Sequence, residues 1–162
     1  MHRLRINAYI RWVLIFSSVI SLDQLSKLWA IRSLMFYHPI YVNKYMNWNL
    51  VFNYGAAFGF MNHQNGWQSY LFVAITFLIS TFFCILIYRG YLRSWGADAA
   101  FLIIAGGLSN AVDRMYRGAV LDFVQWHFHQ WAWPSFNLAD AAITLGVILL
   151  ISYNQWGSCD RN

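Results

Sequence analysis

Long runs without charged side chains divide the sequence into apolar stretches separated by short polar breaks. Gln68–Tyr88 contains no Asp, Glu, Lys or Arg and reaches the length of about 20 residues that a transmembrane helix requires. Ala141–Cys159 is similar, whereas Trp12–Leu22 and Ala99–Val112 are shorter and end at charged residues. Together these stretches predict four transmembrane helices, near residues 12–33, 67–88, 95–114 and 137–157.

The N-terminus allows a second interpretation. Three arginines precede an apolar run of 11 residues, and Val19-Ile-Ser21 has the character of a cleavage site, a combination that is typical of a signal peptide. The apolar pattern resumes after Lys27, however, and this favours an uncleaved first span.

The positions of Lys and Arg predict the orientation. With the N-terminus in the cytoplasm, six of these residues lie on the cytoplasmic side and four lie outside, which is the bias of the positive-inside rule. The tight turn Arg89–Arg93 between the second and third spans strengthens this assignment. We therefore expect both termini in the cytoplasm.

Two longer segments, 34–66 and 115–136, are then expected outside the membrane. Both are rich in Trp, Tyr, Phe and His, a composition that is typical of an aromatic belt at the bilayer surface. Within the first segment, Trp48–Phe52 has the composition of a strand, and Gly55–Phe60 is expected to begin a short interfacial helix.

The composition supports a membrane protein. Hydrophobic residues make up 59% of the 162 residues and charged residues 10%, against about 25% charged residues in a soluble domain. These values exclude a soluble enzyme, a disordered chain and a disulfide scaffold. The net charge of +5 comes from scattered residues beside apolar runs, so we expect no nucleic-acid partner. We find no repeat or linker and expect one domain, residues 1–162.

All six acidic residues are aspartates, and the predicted spans place four of them at one depth, near the outer membrane surface. Helical spacing puts Asn110 and Asp113 on one face of the third span, and Asn137 and Asp140 on one face of the fourth. Ionisable groups in membrane spans are costly and commonly functional. The four aspartates that gather there are Asp23, Asp113, Asp122 and Asp140.

Each acidic group has a structural interpretation to weigh. Asp23 and Lys27, at positions i and i+4, form either an internal ion pair or a contact with the loops. Asp113 lies beside Arg114, and such a pair is suited to fixing loop backbone. Asp122 and Asp140 have no basic residue within four positions. If they face each other, they share one proton and can activate a water as aspartic proteases do.

Other chemistries are less well supported by the sequence. His127 and His129 have the ligand chemistry of a metal site, but they lie among tryptophans without a third ligand type. No serine lies in a nucleophile motif with a histidine partner, and Cys84 lies in mid-span. We therefore expect neither a metal nor an organic cofactor.

Five segments in order resemble the signal peptidase II family, the bacterial lipoprotein signal peptidases. Each is short, but their order on a four-span chain makes the resemblance specific, and it covers residues 12 to 155. The segments are Asp23-Gln-Leu-Ser-Lys27, Asn53-Tyr-Gly-Ala-Ala-Phe58, Gly106-Gly-Leu-Ser-Asn110-Ala-Val-Asp113-Arg114, Val120-Leu-Asp122-Phe123 and Phe136-Asn137-Leu-Ala-Asp140.

This resemblance implies an aspartyl endopeptidase of the bacterial inner membrane, with its active site on the extracytoplasmic side. It implies a diacylglyceryl-modified prolipoprotein as substrate, cleavage before the lipidated Cys and inhibition by globomycin-type peptides. We also expect a monomer. The implied fold is all-α, with four transmembrane helices, a small extracytoplasmic β-cradle and a short surface helix. The implied catalytic residues are Asp122 and Asp140, the implied substrate-binding or supporting residues are Asn53, Gly55, Asn110, Asp113, Arg114 and Asn137, and the implied structural residues are Asp23 and Lys27.

Two other functions use the same residues. A proton-linked transporter or channel subunit would use the aspartates as a relay, but it would also need acids at the midplane. A non-catalytic assembly factor would use the Asp and Arg pairs only for helix packing.

Overall fold

The computed structural model describes residues 2–55, 66–129 and 131–159. These residues form four α-helices, and all four are long and apolar enough to cross a membrane. This confirms the four predicted spans, although the first helix begins about ten residues earlier than the apolar run that predicts it. The helices are α1 (His2–Ser33), α2 (Trp67–Tyr88), α3 (Ser94–Arg117) and α4 (Leu138–Cys159).

Helix α3 lies at the centre of the bundle. In the most apolar 18-residue stretch of α3, 61% of the residues are buried, whereas none is buried in the corresponding stretch of α2. Small residues on α3, among them Ala97, Ala100 and Gly106, are buried and allow the other helices to approach. Because α3 contacts each of the other three helices, side chains near its C-terminal end can contact residues of all three.

Four antiparallel strands form a small sheet in the order β1-β2-β3-β4. The predicted strand at Trp48–Phe52 is confirmed as part of β2. The strands are β1 (Ile40–Asn43), β2 (Met46–Asn53), β3 (Val120–Phe128) and β4 (Trp131–Ala132). The predicted surface helix at Gly55–Phe60 lies, apart from Gly55, within residues 56–65, which are outside the described residues.

Strand β3 lies in the segment 115–136, which stands out in the sequence only as rich in aromatic residues. It pairs with β2, and the paired positions are 67 to 80 residues apart in the chain. Local composition does not reveal such a distant partner. Its side chains alternate between two faces. Leu121 and Phe123 pack in a core with Leu50 of β2 and Ala30 of α1, while Asp122 faces a cavity on the other side.

The chain returns from β4 alongside β3 and leads directly into α4. Phe136 and Val124 each donate a backbone hydrogen bond to the other, both of 2.9 Å. This pairing places Asn137 and the first turn of α4 beside Asp122. The sheet therefore brings two aspartates that are 18 positions apart to one place.

Glycine at position 106 allows α3 and α4 to pack closely. A Cβ atom there would lie 2.5 Å from the carbonyl oxygen of Ala139 and 2.8 Å from the side chain of Ile143. Gly146 of α4 meets Ala99 of α3 in the same way, with 2.7 Å to its carbonyl oxygen. The two glycines fix the distance between the helix that carries Asn110 and the helix that carries Asp140.

Candidate active site

Asp122 is buried in β3 and accepts hydrogen bonds from two asparagine amides. Its exposed fraction is 1%. Asn53 Nδ2 of β2 lies 3.0 Å from Asp122 Oδ2, and Asn137 Nδ2 lies 2.7 Å from Asp122 Oδ1. Both oxygens thus have partners, as a buried carboxylate requires.

The environment of Asp122 raises its pKa to about 7. Burial is the main cause, because it disfavours the charged form, and the negative charge of Asp140 adds to it. The hydrogen bonds from Asn53 and Asn137 and the charge of Lys27 act in the opposite direction. Asp122 can therefore carry a proton near neutral pH, when an exposed aspartate is ionised.

Asp140 lies in the first turn of α4 and is held by Asn137. The backbone N–H of Asp140 donates to Asn137 Oδ1 (2.9 Å), and the backbone N–H of Asn137 donates to Asp140 Oδ2 (3.2 Å). This reciprocal pair is a capping box, which satisfies two free amides at the helix start. Asn110 Nδ2 of α3 donates to the other oxygen, Oδ1, at 2.8 Å.

A buried ion-pair network lies behind the two aspartates. Lys27 is fully buried, and its Nζ lies 2.6 Å from Asp23 Oδ2 and 2.7 Å from Asp113 Oδ2. Arg117 Nη1 reaches the other oxygen of Asp113 at 2.6 Å. The i, i+4 pair expected for Asp23 and Lys27 is present, and it extends from α1 to α3.

Asp23 also fixes the start of α4. Its Oδ1 accepts the backbone N–H of Ala139 at 2.9 Å, and its Oδ2 accepts the hydroxyl of Ser109 at 2.7 Å. The amide of Ala139 is one of the N-terminal groups that have no partner within the helix. Asp23 therefore joins α1, α3 and α4 directly beneath Asp140.

Arg114 connects α3 to the segment after β2. Its Nη2 donates to the backbone oxygen of Gly55 at 2.8 Å, and Gly55 N–H donates to Asn53 Oδ1 at 3.0 Å. The guanidinium carbon lies 5.1 Å from the centre of the Phe72 ring of α2. The expected role of Arg114 in fixing loop backbone is seen in this contact.

Asp122 and Asp140 line one cavity of about 810 Å³ between the sheet and α4. This volume is that of a ligand pocket. Asn53, Asn110 and Arg114 line it too, whereas Asp113 and Asn137 lie behind its wall. Its apolar lining consists of side chains from β2, β3, the return segment and α4, among them Val51, Phe52, Trp126, Trp133, Phe136, Ile143, Leu145 and Ile148.

Some residues of this arrangement were not singled out from the sequence. Arg117 pairs with Asp113, and their i, i+4 spacing on a helix is the signal that predicts the pair. Gln24 Nε2 lies 3.1 Å from Ser109 Oγ, a contact between helices that has no local signal. Trp126 and Trp133 were interpreted as part of an aromatic belt, but they line the cavity.

The remaining candidates lie elsewhere. His127 Nε2 lies 3.2 Å from the backbone oxygen of Asn43, away from the aspartates. Within the described part of the chain, no group of three or more His, Cys, Asp or Glu residues is arranged to hold a metal ion. Asp98 pairs with Arg11 at 2.9 Å, and Asp160 lies outside the described residues.

Known proteins with the same features identify the family. A model of the family described as signal peptidase (SPase) II matches residues 15–155 of the chain. The chain belongs to this family. It is therefore a peptidase, and its four spans make it a multi-pass membrane protein.

Curated members of the family are similar over most of their length. The chain is 42% identical over 144 residues to the lipoprotein signal peptidase of Xylella fastidiosa (strain M12), covering 88% of this chain and 86% of that protein. It is 36% identical over 152 residues to that of Xanthomonas axonopodis pv. citri (strain 306), covering 93% and 88%.

A solved structure supports the fold. It is described as a bacterial membrane enzyme and superposes with a TM-score of 0.82 at 27% identity, covering 93% of this chain and 91% of that one. The expected fold, four membrane helices with a small sheet, agrees with this similarity.

Proposed function

We propose that the chain removes signal peptides from diacylglyceryl-modified prolipoproteins, cutting before the lipidated Cys with a water activated by Asp122 and Asp140. One observation carries the catalytic part. Two aspartates from β3 and α4 line the same cavity and are held by amide donors, and in the described residues neither forms an ion pair. Carboxylates that are not held in an ion pair are free to exchange a proton.

The reaction follows from one proton shared by the two carboxylates. The ionised aspartate takes a proton from water, whose oxygen attacks the carbonyl carbon, while the protonated aspartate donates to the carbonyl oxygen. The tetrahedral intermediate then collapses as the C–N bond breaks, and the amine leaves with a proton from the dyad. The raised pKa of Asp122 suits it to the acid role, and Asp140 at a helix N-terminus is suited to the ionised role.

The shape of the cavity supports a lipid-bearing substrate. Along α4 its wall runs from Asp140 to Ile148, a distance of roughly 12 Å at 1.5 Å per residue. Because α4 spans the membrane, this apolar wall leads from the dyad into the hydrocarbon region. Acyl chains attached to the Cys can stay in the bilayer while the peptide bond reaches the carboxylates.

The surrounding residues have supporting roles in this proposal. Asn53, Asn110 and Asn137 orient the carboxylates by the hydrogen bonds described above, and Arg114 at the cavity wall binds substrate backbone. Asp23, Lys27 and Asp113 hold the helices that carry them. The family resemblance further supports an inner-membrane location and inhibition by globomycin-type peptides. The distribution of Lys and Arg supports both termini in the cytoplasm, and we also propose that the chain is a monomer.

The test is cleavage of a diacylated lipobox peptide by the purified chain in detergent. We expect Asp122→Asn and Asp140→Asn each to abolish cleavage, with a loss of about 10³-fold or more, because a neutral amide can neither take nor donate the proton. Both variants should keep the thermal unfolding midpoint of the wild type.

Asp98→Asn is the matched control, because it makes the same substitution at the other end of α3, where Asp98 contacts Arg11. It should cleave like the wild type. Retained activity in either dyad variant would exclude the proposed mechanism, and failure of the wild type to cut the diacylated peptide would exclude the proposed substrate.

A further inference from the structure

Lys27 makes more contacts than an ion pair needs. Besides the carboxylates of Asp23 and Asp113, its Nζ donates to Asn110 Oδ1 at 3.0 Å. An ammonium group has three donors, and its three polar neighbours here are two carboxylates at ion-pair distance and the Asn110 oxygen that accepts its hydrogen bond. The side chain is fully buried, and it lies between two carboxylates.

The contact with Asn110 determines which way its amide points. The Oδ1 atom accepts from Lys27 and also from Asn137 Nδ2 at 3.2 Å. If the amide turned over, its NH2 group would face two donors, one of them charged, and its oxygen would face the carboxylate of Asp140. In the arrangement observed, Nδ2 donates to Asp140 Oδ1 at 2.8 Å.

We propose that Lys27 is a positioning residue for the catalytic dyad, because its ammonium fixes the amide of Asn110 in the orientation that donates to Asp140. This inference rests on the proposed function. It extends the structural role expected for Lys27, since it links that residue by one intermediate to a carboxylate that reacts.

The two carboxylates that contact Lys27 each have further partners. Arg117 shares Asp113, and the hydroxyl of Ser109 and the amide of Ala139 share Asp23. On the cavity side, Arg114 is the further cation that interacts with both dyad aspartates. Neither α2 nor β2 carries a charged side chain. Among the described residues that line this cluster, Lys27 is therefore the cation that contacts Asn110.

A scaffold role and a positioning role predict different kinetics. If Lys27 only holds α1 against α3, replacing its ion pair by neutral residues of similar size should leave the rate constant of the folded enzyme unchanged. If Lys27 orients Asn110, the same replacement lowers kcat and leaves KM nearly unchanged. In a variant that lacks the Asn110 amide, replacing Lys27 should then have no further effect on kcat.

The experiment compares Lys27→Met, Asn110→Ala and the double variant for cleavage of the diacylated lipobox peptide. We expect each single variant to lower kcat about tenfold or more, the usual effect of losing one hydrogen bond to a charged group. The double variant should be no slower than Asn110→Ala, since both substitutions remove the same donor from Asp140. KM should change less than about threefold in all three.

A second variant protects the test against misfolding, because Lys27→Met alone leaves Asp23 buried without its cation. The charge-balanced variant Asp23→Asn with Lys27→Met keeps an acceptor for the Ala139 amide and removes the contact with Asn110. We expect it to unfold near the wild-type temperature and to show the same loss of kcat as Lys27→Met.

The outcomes separate this inference from the proposed function. Wild-type kcat in the charge-balanced variant, additive losses in the double variant, or failure of the charge-balanced variant to fold would each overturn the role of Lys27. The proposed function would still stand in those cases, provided that wild-type enzyme cleaves the peptide and Asp122→Asn does not.

Discussion

Asn137 contacts both aspartates of the site with different parts of the residue. Its side-chain amide donates to Asp122, while its backbone N–H donates to Asp140. One residue just before α4 thus sets the position of a strand carboxylate relative to a helix carboxylate. This explains at the level of atoms how two distant positions in the chain are held close together.

The pKa of Asp122 predicts the pH dependence of cleavage. Below about pH 7 the dyad keeps a proton, and as the pH rises through this value the proton leaves, so that no acid remains to polarise the carbonyl. We expect kcat to fall about tenfold per pH unit above this value, and to fall again at low pH, where the second carboxylate is protonated and no base remains to take a proton from water. The measurement is kcat for the diacylated peptide between pH 5 and 9.

Asn53→Ala offers an internal check on the assignment of this proton. The amide of Asn53 stabilises the charged form of Asp122, so its removal should raise the pKa and move the alkaline limb to higher pH. A limb that stays in place or moves to lower pH would assign the titration to another group.

Sequence reasoning singled out both aspartates of the proposed dyad but not the contacts that orient them. Asp122 and Asp140 stand out because no basic residue lies nearby in the chain. The spacing of Asn137 and Asp140 is likewise visible as a helix start. By contrast, the contact between Lys27 and Asn110 joins positions 83 apart, and it depends on how α1 packs on α3.

At the scale of the elements, the α3–α4 contact determines the geometry of the site. We expect Gly106→Ala to lower the free energy of unfolding by about 1–3 kcal/mol, because the added methyl group meets the carbonyl oxygen of Ala139. Cleavage should also slow, since α4 carries Asp140. Denaturation in detergent and the peptide assay measure the two effects.

Gly107→Ala is the matched control on the next residue. A Cβ atom there has one neighbour, the methyl group of Thr76 at 3.2 Å, and alanine favours the helix. It should be nearly neutral in both assays. Equal effects of the two substitutions would contradict the close packing of α3 on α4.

The helices were predictable from the sequence because each carries its own signal of length and polarity. Only α1 and α3 extend clearly beyond the predicted spans, since helix ends in water have no hydrophobic signal. Strand β3 was not predictable in this way. Its aromatic residues suit both a membrane surface and a strand, and its pairing with β2 comes from the tertiary structure.

At the scale of the whole molecule, the dyad lies at one end of the bundle, and we propose that this end faces away from the cytoplasm. Cysteines placed at Lys44, in the turn between β1 and β2, and at Tyr91, in the turn between α2 and α3, test the orientation. Both positions are exposed. The background should lack the two native cysteines, Cys84 and Cys159.

In intact cells, an impermeant thiol reagent should label Lys44→Cys and leave Tyr91→Cys unlabelled until the membrane is permeabilised. The opposite pattern would reverse the orientation and place the site on the cytoplasmic side.

The central claim is that Asp122 and Asp140 together hold the attacking water. The most direct measurement is an experimental structure of the chain with a peptide inhibitor whose hydroxyl group replaces the attacked carbonyl. We expect the hydroxyl oxygen to lie within about 3 Å of one oxygen of each aspartate. A hydroxyl bound outside the pair, or in contact with only one of the two carboxylates, would contradict a shared water and the mechanism built on it.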